Sequence, residues 1–220
     1  MKKFGVVLFM LALALMLTGN ALAQNVGDNS VYFVTYYSNA NTAGITDAKG
    51  VKRAVAGGAP DAVIRIVNDG DQATSAPEGV ENGPLWADFY VFNDSEELES
   101  CCACLVTADG LLSESVNEQL TSNEITARSE ISRGVIKIVS SSTNDPTNPT
   151  ATPGLRGWAT HIQATTNVPE TAPFYVTETP LADSNLGKIE LSNLATSCSY
   201  GLTLGSGYGL CSCTPEDYDF

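Results

Sequence analysis

Cys101-Cys102-Ala103-Cys104 is the stretch on which the reading of this chain turns, and Cys198 and Cys211-Ser212-Cys213 answer it near the C-terminus. These are all six cysteines, and they fall into two well-separated groups. Neighbouring cysteines rarely bridge each other, because the ring they close is strained, and a Cys-x-Cys ring is tight as well. If no bridge forms inside either group, every bridge ties the 101–104 segment to the C-terminal region, and the fifteen connectivities open to six cysteines shrink to those between the groups. The first such bridge closes a loop of about 100 residues and contributes roughly 4–5 kcal/mol by chain entropy. The cysteines are therefore expected to be disulfide staples. The alternative is a thiolate metal site drawn from Cys101, Cys102, Cys104, Cys198, Cys211 and Cys213. Zinc sites, however, usually space their cysteines by about two to four residues, and neither group does so. No clean Cys-x-x-Cys redox motif is present either, since a cysteine sits inside the Cys101–Cys104 spacing.

The start of the chain supplies the compartment that disulfides need. Lys2 and Lys3 precede an apolar run from Val6 to Leu17, and Ala21-Leu22-Ala23 has the small-x-small pattern that signal peptidase cleaves. Residues 1–23 thus read as a cleaved signal peptide of bacterial form, leaving a mature chain from Gln24. Leu17-Thr18-Gly19 resembles the start of a lipoprotein signal, but Asn20 stands where a lipidated cysteine would be required. No second apolar span follows. The expected address is extracellular, cell-surface or periplasmic, without membrane insertion.

Loss of Lys2 and Lys3 deepens the formal charge from −14 to −16. Such acidity argues against nucleic acid and anionic membranes, both of which select a basic face. Its sharper use would be calcium, at Asn68-Asp69-Gly70-Asp71, yet that stretch lacks the alternating ligands and closing Glu of an EF-hand loop. No cofactor is indicated.

Working outward from the cysteines, seven strands are expected: 30–37, 62–68, 85–92, 111–120, 134–140, 155–165 and 174–179. The first is apolar on both faces, which suits a strand covered on both sides or one awaiting a partner chain. Asn39 to Gly58 reads as a long loop, and Asp109-Gly110 marks a turn. Asp94 with Glu97 three residues on has capping-box spacing, which predicts a helical turn delivering Cys101, Cys102 and Cys104. The Pro/Thr/Asn-rich stretch 141–154 is expected to be a mobile loop joining two hairpin arms. One helix is expected after Asp183 or Ser184, with Leu186, Ile189, Leu194 and Cys198 on one face. Residues 214–220 form an acidic tail. The expectation is mostly β: a single-domain antiparallel β-sandwich over 24–213 with one helix in the C-terminal half, stapled by disulfides.

Catalytic signals are weak. His161, the only histidine, lies on an expected strand with Ala159 and Gln163 and reads as a surface or hydrogen-bonded residue; no Gly-x-Ser-x-Gly elbow accompanies it. Gly205-Ser206-Gly207-Tyr208-Gly209 opens no helix, so it reads as a bend into the cysteine cluster rather than a phosphate loop. Tyr32, Tyr36, Tyr37, Trp86, Tyr90 and Trp158 offer a platform for sugar rings if they share a surface, with Trp86, Tyr90 and Trp158 the candidate ligand-binding residues. The terminal Phe220 is shared with outer-membrane barrels, but the strands lack sustained lipid-facing alternation.

Three stretches carry a resemblance: 90–93 through Cys101-Cys102-Ala103-Cys104; Gly134-Val135-Ile136-Lys137-Ile138-Val139-Ser140 with Trp158-Ala159-Thr160-His161-Ile162-Gln163; and Cys198 through 205–213. Together they resemble a group of uncharacterised exported bacterial proteins. The resemblance implies a fixed cysteine framework and carries over no catalytic residue. The sequence therefore leads to an exported, non-enzymatic structural, adhesive or surface-assembly protein. Self-assembly would run through the strand at 30–37, and extracellular polysaccharide is a further possible partner. The alternative is a module binding carbohydrate through aromatics or metal through cysteines.

Overall fold

The computed structural model describes residues 31–38, 45–46, 52–53, 61–70, 83–123, 125, 133–164, 174–203 and 209–213. The expected signal peptide and the acidic tail lie outside the described residues. So do Asp71 and residues 205–208.

The chain folds as an antiparallel β-sandwich with one α-helix laid on the outside. In chain order its strands are β1 (Tyr32–Ser38), β2 (Ile45–Thr46), β3 (Lys52–Arg53), β4 (Val63–Asn68), β5 (Leu85–Asn93) and β6 (Leu98–Val106). They continue as β7 (Leu111–Ser115), β8 (Arg133–Ser141), β9 (Leu155–Ala164), β10 (Phe174–Pro180) and β11 (Ala182–Asp183), and the chain then enters α1 (Lys188–Thr203). One sheet has the order β11-β1-β8-β5-β6 and the facing sheet β10-β9-β4-β7, while β2 and β3 make a separate two-stranded ribbon. The seven expected strands are β1, β4, β5, β7, β8, β9 and β10. The sandwich gains β6 and β11 beyond them, and the ribbon falls in the expected loop at 39–58.

Period-two alternation decides which side chains meet. Phe33, Ile64, Ile66, Ala87, Phe89, Val91, Ile136 and Ile138 point between the sheets and are almost wholly buried. A second, smaller core lies on the other side of the five-stranded sheet. There Tyr32, Tyr90, Cys101 and Val139 pack under Leu194 and Cys198 of α1. This three-layer arrangement accounts for the apolar pattern of β1 within one chain: Phe33 and Tyr37 enter the first core, Tyr32 the second. Beta-1 also pairs with β8 along its whole length and with β11 at Phe33 and Val34.

Four local expectations are corrected. Cys101, Cys102 and Cys104 ride on strand β6, not on a helical turn. Asn93 Oδ1 accepts the N–H groups of Ser95 and Glu97, and Asn93 N bonds to Glu97 O at 3.0 Å, which closes a β5–β6 hairpin with Glu96 at φ 67°. The strand expected over 111–120 stops at Ser115, where Val116–Leu120 forms a π-helical turn closed by Thr121 N on Val116 O at 2.7 Å. The helix begins at Lys188, because Ala182 and Asp183 pair with β1 and Ser184 N bonds to Tyr32 O at 2.9 Å. Ile189 accordingly falls off the buried face and is 79% exposed. Finally, the 141–154 loop joins strands of different sheets rather than two hairpin arms, and it is tied down by its own hydroxyls. Ser141 Oγ accepts Thr143 N and Thr150 N, both at 3.1 Å, and Tyr90 donates its hydroxyl to Pro146 O at 2.7 Å.

Candidate functional site

Beta-6 is the strand that the outer layer and the C-terminal segment are fastened to. Consecutive residues of a strand face opposite ways, so adjacent Cys101 and Cys102 serve two different layers. Cys101 points outward and bridges to Cys198 on α1, with a Cα–Cα distance of 5.9 Å. Cys102 and Cys104 point into the sandwich and bridge to Cys211 and Cys213, each at 5.4 Å. The C-terminal segment reaches them by running alongside β6: Cys101 N bonds to Gly209 O at 2.8 Å, with a parallel bridge between Cys101 and Leu210. Gly209 makes the approach at φ 89°, a conformation that glycine reaches without strain. All six cysteines are paired, and each pair joins the two sequence groups. The sulfurs of Cys102, Cys104 and Cys213 lie within 4.8 Å of one another, but bridged sulfur offers no thiolate to a metal.

The other chemistry-bearing residues are dispersed. Trp86 lies on β5 and Trp158 on β9, in different sheets, and both are half-buried. Tyr90 is fully buried beneath the 141–154 loop, and burial pushes its hydroxyl pKa up. Tyr32 is covered by α1 and donates to Glu190 Oε1 at 3.0 Å, Tyr37 lies in the sandwich core, and Tyr36 stacks on His161. No shared aromatic platform is formed by these six. His161 is 4% exposed, with its ring 4.1 Å from that of Tyr36 and Nε2 2.9 Å from Thr179 Oγ1. It is hydrogen-bonded, as one of its two readings had it, but not a surface residue. The oxygen-rich turn at Asn68 is committed to structure: Asn68 Oδ1 accepts Gly70 N at 3.1 Å, and Asp69 sits 3.5 Å from Arg156.

The polar groups that the sequence reading passed over lie on the outer face of the five-stranded sheet. Asp88 is fully buried on β5, opposite Val139 and Ala103, and neither carboxylate oxygen has a hydrogen-bond partner. Burial pushes its pKa up to about 8, against the opposing effect of the neighbouring Ser141 hydroxyl and with the charge of Asp145 pushing the same way. Asp145 itself is held below the usual carboxylate range by Thr147, whose hydroxyl and N–H both bond to Oδ1. Beside them, Lys137 Nζ reaches Glu190 Oε1 at 2.6 Å and lies 5.1 Å from the Phe92 ring centre, holding the Glu190 carboxyl low. Between α1 and the tip of the loop is a groove of about 490 Å³, lined by Thr147, Asn148, Leu191, Ser192, Thr196 and Ser199 among others. The sequence did carry a signal for Asp88: it is the one charged residue in the apolar run Leu85-Trp86-Ala87-Asp88-Phe89-Tyr90-Val91-Phe92.

No protein-family model matches the chain, and no curated protein or solved structure matches it either.

Proposed function

We propose that this is an exported bacterial protein with a non-enzymatic structural, adhesive or surface-assembly role. The observation that carries the reading is the use of all six cysteines to clamp helix and C-terminal segment onto one strand, with no thiol left for chemistry. Disulfides of this kind persist in oxidising compartments, and the signal-peptide pattern at 1–23 agrees with that address. The burial of His161 and the separation of Trp86 from Trp158 weigh against catalysis and against sugar stacking on these aromatics. Assembly through the 30–37 strand would use β1, which is paired with β8 along its length and covered on its other edge by β11 at Phe33 and Val34. The outer edge of β10, where residues 176–180 are all exposed, is a freer place for strand addition.

The test is fractionation of the native source, followed by intact mass and alkylation without reductant. The expected result is mature protein outside the cytoplasm, beginning at Gln24, with no thiol labelled. Cytoplasmic protein with labelled cysteines would overturn the reading.

A further inference from the structure

We propose that Asp88 and Asp145 anchor a calcium site beneath the 141–154 loop. Buried carboxyl groups in folded proteins are paired, hydrogen-bonded, bound to metal or neutralised by a proton. Neither oxygen of Asp88 has a partner within hydrogen-bonding geometry, so a cation here would take the place of that proton. Its cross-strand neighbours Val139 and Ala103 have no side-chain donor. The nearby Ser141 hydroxyl is already engaged by Thr143 and Thr150. Asp88 is therefore stripped of water at a point where the protein offers it no more than the nearby Ser141 hydroxyl.

What crosses this face is the loop. Tyr90 lies two residues from Asp88 on the same side of β5, and its hydroxyl bonds to the Pro146 carbonyl at 2.7 Å. Asp145, next in sequence to Pro146, is thereby brought over the same patch, and Thr147 fixes its carboxylate through Oδ1. The loop from 141 to 154 contains no Lys or Arg, whereas it is rich in hydroxyl, amide and carbonyl oxygen. Two carboxylates with neutral oxygens suit a hard cation of flexible coordination, which is calcium rather than a thiophilic metal or strictly octahedral magnesium. With only two carboxylates the affinity belongs to the weak extracellular class, roughly 0.1–1 mM. The cation would compensate Asp88 and tie the loop to the sheet.

The experiment uses the full mature chain with its disulfides intact, stripped with chelator and titrated with calcium chloride. Unfolding temperature and terbium luminescence sensitised through Trp86 and Tyr90 are the two readouts. At a hundredfold excess over Kd, calcium should raise Tm by about 5–10 °C, and magnesium at equal concentration should do much less. Asp88→Asn keeps the shape of the side chain, so it should fold yet lose both the Tm response and the terbium signal. Asp145→Asn should weaken both at least tenfold, while Asp69→Asn should leave them intact. The proposal is overturned if the parent protein shows no response at about 10 mM calcium, well above the weak range, or if its response survives unchanged in Asp88→Asn. An unchanged response in Asp145→Asn would also overturn it.

Discussion

His161 sits where β1 of one sheet meets β9 of the other, stacked on Tyr36 and hydrogen-bonded to Thr179. Burial lowers its pKa below the ordinary 6.5, partly offset by the Tyr36 backbone. The unfolded chain therefore takes up a proton near pH 6.5 that the folded protein resists until lower pH. Across that interval the unfolded state binds more protons, so stability falls as pH drops below about 6.5. Asp88 titrates with the opposite sign, because its raised pKa makes the folded state hold the extra proton up to about pH 8. Glu190 and Asp145 have lowered values and act further down, below the ordinary carboxylate range. The contribution of His161 is thus isolated by comparison with a variant. Between pH 7 and 5, the Tm of the parent should fall relative to that of His161→Gln. Parallel Tm curves for the two proteins would show that the ring is not desolvated as the structure places it.

At the scale of elements, β6 shows both what the sequence made legible and what it hid. Strands β4, β5, β8 and β9 were readable because β-branched and aromatic residues alternate between turn signals, and the tertiary environment agrees with that local pattern. Beta-6 was misread because Asp94 and Glu97 have the spacing of a helix start, while the chain uses Asn93 as the acceptor that closes a hairpin. A capping pattern is local, and pairing with β5 overrode it. The vicinal cysteines were legible as staples but not by partner, since only strand geometry sends Cys101 and Cys102 to opposite faces. Asp88 was overlooked for the reverse reason: it fits the strand spacing and is anomalous only in polarity. The two-faced strand implies that the layers can be uncoupled. Replacing Cys101 and Cys198 together with alanine should cost about 2–4 kcal/mol. Amide exchange should then rise across α1 while β5 and β8 keep their protection, because Cys102–Cys211 and Cys104–Cys213 still hold the inner face. Equal loss of protection in helix and sheets would mean that the layers unfold only as one unit.

For the whole molecule the dominant long-range force is its own charge. The ion pairs of the described residues include Lys137–Glu190 at 2.6 Å, Arg65–Glu178 at 2.5 Å and Arg133–Asp94 at 2.9 Å, and the last two are largely exposed. Exposed pairs contribute about 0–1 kcal/mol each and weaken with salt. Even if every Lys and Arg found a partner, the formal charge of −14 would leave many carboxylates facing only one another. Their repulsion acts over the Debye length, about 30 Å at 0.01 M and 8 Å at 0.15 M ionic strength. Compaction brings these carboxylates closer together than in the unfolded chain, so screening relieves the folded state more. Raising sodium chloride through that range, with calcium chelated, should therefore increase Tm. A decrease would mean that the few ion pairs outweigh the repulsion, with Lys137–Glu190 under the helix the first to examine. A sodium effect that matched the calcium effect at equal ionic strength would reduce the response to screening alone. A calcium effect far above it, lost in Asp88→Asn, would locate the extra stabilisation beneath the loop.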